Sequence, residues 1–218
     1  MFHRRRLLGS VRVPFVAAGG AAVTWTAVAN PAVGTAGSTV TFVAVPLGVA
    51  DATRGTVVVV STESIIATSV TIGGVTMTKG IEEATAISSL QIWGLITSGL
   101  GTTADIVLTG SGAMTAPMIM VGRTTGINTM FSATSAVNNA GADPAQVTAT
   151  VPSGGLGVAA IMSNPTNTGT WSNATVDYRT NVNSKTLSMA HTSSVGSQTM
   201  SYSGIGGVSH MVMATFSP

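Results

Sequence analysis

A chain of 218 residues with no cysteine cannot rest on disulfides, thiolate metal sites or a cysteine nucleophile. Only 7% of its side chains are charged against 44% hydrophobic, so it carries too little charge for an ordinary soluble surface, and much of that surface is expected to be covered by partners. The net charge of +2 hides an asymmetry: Arg4, Arg5, Arg6 and Arg12 lie at the start, while residues 13–218 hold five basic and seven acidic side chains, a balance that argues against a nucleic-acid-binding body.

Residues 1–20 are basic, then apolar, then Gly-rich, and read as an N-terminal anchoring arm with a joint at Ala17-Ala18-Gly19-Gly20. The first 29 residues also imitate an export signal, with Arg4-Arg5-Arg6-Leu7-Leu8 ahead of Ala27-Val28-Ala29, although Arg12 and Pro14 interrupt the apolar stretch. Uninterrupted apolar runs of 18 residues are absent, which argues against a membrane-spanning helix.

The body, 21–218, reads as strands at 21–28, 38–45, 56–61, 68–72, 75–79, 88–96, 103–109, 116–123, 146–151, 155–163, 174–179, 186–191, 198–203 and 208–216. Alternation is clearest in Thr68-Ser69-Val70-Thr71-Ile72 and Val75-Thr76-Met77-Thr78, joined by the hairpin signal Gly73-Gly74. Val57 to Val60 and Met118 to Val121 are apolar on both faces and belong in central or covered strands. Ile81 to Ser89 is the best helix candidate and a poor one. Residues 124–145 read as a long connection closed by Asp143-Pro144. A fixed-period repeat is not evident. The expected class is all-β, a jelly-roll-like two-sheet β-sandwich with an extended N-terminal arm.

Chemistry is sparse. His191 and His210 fall in predicted strands, where a buried or interface role suits them better than a catalytic one. Glu82 and Glu83 point to opposite faces of any strand and cannot act as a carboxylate pair. Gly99-Leu100-Gly101 lacks the following helix that a dinucleotide loop needs. Asp51, Asp105, Asp143 and Asp177 read as turn formers before they read as calcium ligands. Trp25, Trp93 and Trp171 read as core anchors, and the methionines as adaptable packing at subunit contacts or in the core. Trp171, Asn173, Asp177 and Tyr178 form a candidate receptor rim, with an aromatic plug between sheets as the plainer reading of Trp171 and Tyr178.

The order Val40-Thr41-Phe42, Val45-Pro46-Leu47-Gly48, Val57 to Ser61, Ser69 to Val75, Leu90-Gln91-Ile92-Trp93 and Asp105 to Ser111 resembles a β-sandwich module of virion and tail-fibre-like proteins of tailed bacteriophages, of the alphaproteobacterial phage or prophage type. The resemblance runs over about residues 36–218 and its motifs are structural. It implies a non-enzymatic virion component at the particle surface, without cofactor or metal: a peripheral fibre, spike or capsid decoration subunit, tail favoured over head. Phe2, Arg4, Arg5, Arg6, Leu7, Leu8, Arg12 and Phe15 would anchor it to other virion proteins. The implied partners include further copies of the chain, a trimer suiting a fibre, and a host cell-surface glycan in host attachment. The rival from another class is an exported carbohydrate-binding β-sandwich whose first 29 residues are a signal peptide.

Overall fold

Segments rich in Val, Thr and Ser, punctuated by Gly, Pro and Asn, become strands throughout, and the described residues contain no helix. The computed structural model describes residues 21–85, 88–140, 142–164, 168–182 and 184–218. Lobe 1 runs β1 (Thr24–Val33), β2 (Gly37–Pro46), β3 (Gly55–Glu63), β4 (Ala67–Ile72), β5 (Val75–Thr76), β6 (Thr78–Ala84), β7 (Ser88–Ile96) and β8 (Thr103–Thr125). Lobe 2 runs β9 (Thr129–Ala140), β10 (Ala145–Val151), β11 (Leu156–Ser163), β12 (Thr170–Ser172), β13 (Thr175–Val182), β14 (Lys185–Thr192), β15 (Gly196–Ser203) and β16 (Val208–Ser217).

The 23-residue β8 turns a corner near Gly110-Ser111-Gly112, where its ladder shifts register. Its first half pairs with β2 and β4, its second with β1 and β3, all antiparallel. The eight-stranded sheet therefore doubles back on itself as an outer limb, β2-β8-β4-β5, over an inner limb, β1-β8-β3-β7-β6. Lobe 2 splits the same plan into two sheets, an inner β9-β16-β11-β14-β13 and an outer β10-β15-β12.

Four layers follow, and strict alternation sorts the strand residues among three cores. Val58, Val60, Ile119 and Val121 face Val40, Phe42, Val70 and Ile106 across lobe 1. Their neighbours Val57, Val59, Met118 and Met120 turn the other way and meet Val158, Ala160, Val212 and Phe216 between the lobes. Ala159, Ile161, Met211 and Met213 then face Val147, Met200 and Tyr202 across lobe 2. The inner strands are apolar on both faces because both faces are covered.

The two lobes repeat one topology. β1, β2, β3, β6 and β7 correspond to β9, β10, β11, β13 and β14, and the halves of β8 to β15 and β16. The register agrees residue by residue: Thr78, Lys79 and Ile81 pair with Gly94, Trp93 and Ile92, as Thr175, Val176 and Tyr178 pair with His191, Ala190 and Met189. Each ladder carries one bulge, at Gly80 and at Asp177, in the same place. Ser61 and Met162 hold equivalent positions on β3 and β11, and the Ser61 hydroxyl donates to the Met162 sulfur at 2.8 Å. Contact between equivalent residues is what a two-fold axis produces, here a pseudo-two-fold within one chain.

Several sequence expectations need correction. The single two-sheet body predicted over 21–218 is four layers deep, and the repeat invisible in sequence is present in topology. The predicted connection at 124–145 contains β9, whose Ser, Ala and Asn residues hide its strand pattern. Residues 103–109 and 116–123 belong to one strand, and 81–84 is β6 rather than helix. Met114, Met118, Met120, Met211 and Met213 are core residues at 1% exposure or less, not subunit contacts. The intramolecular stack thus accounts for apolar content that the composition alone assigns to partners.

Candidate functional site

The anchoring candidates Phe2, Arg4, Arg5, Arg6, Leu7, Leu8, Arg12 and Phe15 lie outside the described residues. The four candidate rim residues lie within them but do not form an aromatic rim. Trp171 is 6% exposed, packs edge-on against Tyr202 at 5.3 Å and donates its Nε1–H to Ser188 Oγ. That makes it the plug between the lobe 2 sheets. Tyr178 points the opposite way, half-buried against the core between the lobes. Only Asn173 is exposed, in a left-handed turn (φ 60°) where its Nδ2 donates to Thr199 O.

Asp177 belongs instead to a constellation that sequence spacing does not reveal. As the bulged residue of β13 it turns towards β14, and its Oδ1 lies 2.9 Å from His191 Nδ1. The carboxylate is 6% exposed, the imidazole 24%. Trp25, reaching across from β1 of lobe 1, packs against the His191 ring at 6.0 Å. Trp25 Nε1 and Asp177 Oδ2 are both buried with no hydrogen-bond partner among the described residues. Beside them His191, Asn173, Thr175, Thr192, Ser194 and Gln198 line a polar hollow of ≈ 280 Å³. His191 and Asp177 are 14 residues apart, joined by a hairpin register that only the bulge sets.

A second polar group sits between the lobes at their other end. Ser88 Oγ meets His210 Nε2 at 2.8 Å, His210 Nδ1 lies 4.0 Å from Glu83, and Lys185 pairs with Glu63 at 2.8 Å. Burial, with Lys185 adding to it, holds the His210 imidazole below its ordinary basicity, and burial beside Glu82 pushes the Glu83 carboxyl up. The serine–histidine contact has the shape of a nucleophile and its base. Ser88 is 8% exposed and His210 1%, so neither is presented to a substrate, and the group serves as a polar plug.

At the end of lobe 1, Arg54 is fully buried and satisfied by oxygens alone. Its guanidinium donates to the carbonyls of Gly48, Thr97, Leu100 and Gly101 and to Thr97 Oγ1. The glycine-rich segment 99–101 is therefore a structural acceptor for arginine. Asp51, Asp105 and Asp143 each accept from a backbone N–H, of Thr53, Ala44 and Gly204 respectively. Glu82 and Glu83 face apart: Glu82 takes Lys79 at 2.7 Å and Gln91, while Glu83 faces His210.

A further open groove of ≈ 600 Å³ lies between β1 and β2, lined by Val28, Ala32, Thr35, Thr41, Phe42 and Val43. Among the described residues no three His, Asp or Glu side chains gather as a metal site, and no helix is long and apolar enough to cross a membrane. No protein-family model matches the chain, and no curated protein does.

Proposed function

We propose that the chain is a structural, non-catalytic virion protein of a tailed phage, a peripheral fibre, spike or decoration subunit fixed to the particle by residues 1–20. Each lobe reads as a jelly roll, with β1-β8-β3-β7 opposite β2-β8-β4-β5 and the equivalent strands in lobe 2. The observation that carries the reading is how the buried polar residues are used: Arg54, Gln91, Trp171, Ser188 and His210 all bond to neighbours that close the fold, not to an open cleft. Its partners are other virion proteins and further copies of itself, a trimer suiting a fibre. The test is mass spectrometry and antibody-labelled electron microscopy of purified particles. Finding the chain at the particle surface supports the reading, and its absence from particles of the encoding phage ends it.

The exported carbohydrate-binding module is the second reading. Cleavage after Ala29 would remove buried Val23, the Trp25 ring and half of β1, which pairs with β8 from Thr24 onward. Intact-mass measurement after expression in a Gram-negative host separates the two readings, since loss of residues 1–29 is required only by export.

A further inference from the structure

Asp177 and His191 stand where lobe 1 has Gly80 and Gly94. In lobe 1 the Phe131 ring fills that seam, so close that a Cβ on either glycine would come within 2.8 Å of it. Phe131 and Met130, both from β9, thus close that seam with apolar side chains, and the acid–imidazole pair at the lobe 2 bulge is not needed for closure.

The pair holds an imidazole in one orientation. The Asp177 carboxylate at 2.9 Å from Nδ1 fixes the ring, which lines the hollow. Trp25 braces the ring from the other lobe. The rest of the hollow is equally fixed: Gln198 Nε2 donates to Val195 O at 3.0 Å, Ser194 N to Thr192 Oγ1, and Asn173 Nδ2 to Thr199 O. Its lining is hydroxyl, amide and imidazole. An anion would meet no lysine or arginine there, and an apolar ligand would strand the polar groups.

We propose that this hollow binds a neutral, hydroxyl-rich ligand, a single saccharide unit of a cell-surface glycan. Sugar hydroxyls bond to the His191 imidazole, donate to the amide oxygens and accept from the threonine and serine hydroxyls. With no aromatic face in the lining, one site binds weakly, on the order of 1 mM, and gains strength from many copies on one particle. The glycan source rests on the virion reading; the site does not.

The test is an NMR titration of the full-length protein with the methyl glycosides of glucose, galactose, mannose and N-acetylglucosamine. At least one is expected to shift amides of residues 173–175 and 191–198 selectively. His191→Ala and Asp177→Asn should weaken that binding about tenfold. Gln198→Ala, at a half-buried position outside the cores, should weaken it with the fold intact, while Asp105→Asn should leave it unchanged. Absence of shifts with all four sugars, shifts elsewhere, or binding unaltered by His191→Ala and Gln198→Ala would overturn the proposal. Sugar binding by a chain that proves absent from particles would uphold the site and remove only the virion reading.

Discussion

Lobes 1 and 2 share strand order, register and bulge, yet close their ends differently. Lobe 1 joins β2 to β3 through Leu47–Arg54, stretching over a second loop at Thr97–Thr102, and pins both with Arg54. Lobe 2 makes the equivalent connection with the short turn Pro152-Ser153-Gly154-Gly155, closed by Gly155 N donating to Pro152 O. Between the lobes the seam at Gly80 and Gly94 is filled by Phe131 and Met130, whereas the one at Asp177 and His191 is polar. The scaffold is held by alternation and two-sided burial, so variation collects in connections and bulges, where side chains are not dictated by packing.

The sharpest break of this comparison is Arg54→Leu. The part-buried carbonyls of Gly48, Leu100 and Gly101 would lose the guanidinium, while Thr97 O keeps the Leu100 N–H, and a buried group left unsatisfied costs about 1–3 kcal/mol. A loss of about 3 kcal/mol or more in urea unfolding is expected. Because Arg54 ties these two loops together, hydrogen exchange should rise first in residues 47–54 and 97–102. A loss under about 1 kcal/mol would mean that the loops hold themselves.

Transplanting lobe 2 chemistry into lobe 1 is the next test. Gly94→His places a Cβ 2.7 Å from Met130 Sδ and 2.8 Å from Phe131 Cζ, so the variant is overpacked and should lose about 1–3 kcal/mol. The double variant with Phe131→Ala, which empties the seam, should recover part of that loss. Equal instability of the single and double variants would show that the glycine does not serve ring packing.

These differences also mark what was legible in the amino-acid sequence. The unbroken apolar runs Val57 to Val60 and Met118 to Val121 announced doubly covered strands, because a strand apolar on both faces needs cover on both. The duplication was not legible, since equivalent positions share burial rather than residue type: Gly94 answers His191, and Met118 answers His210. Trp171 was readable as a plug from its size, but its exclusion from a rim depends on Ser188 and Tyr202, contributed by other strands. The Asp177–His191 pair depends on one bulge, and single sequences carry no mark for a bulge at a non-glycine residue.

His210 gives a smaller effect that depends on pH. Its folded pKa is lowered by burial and by Lys185, so the folded state binds fewer protons than the unfolded chain near the ordinary histidine value of 6.5. The contribution is complete above that value and is lost as pH falls from it through the lower folded pKa. Unfolding midpoints should drop on acidification from pH 7 to pH 5. His210→Met, which installs the residue lobe 1 uses at the equivalent Met118, should flatten that part of the profile. A profile unchanged by the substitution would assign the acid sensitivity to the carboxylates.

The smallest effect probes the pseudo-two-fold itself. Ser61 and Met162 touch across it, so exchanging them moves each side chain into its partner's place with the total volume conserved. Ser61→Met alone adds bulk to a filled seam, and Met162→Ser alone opens a cavity under a residue that is 3% exposed. Both singles should lose stability, by about 1–3 kcal/mol. The double exchange should fall within about 1 kcal/mol of the native protein, a strongly non-additive cycle. Simple addition of the two losses would mean that the lobes share a strand order without a shared axis. The match of register around β3 and β11 would then be a property of each lobe, not of the seam between them.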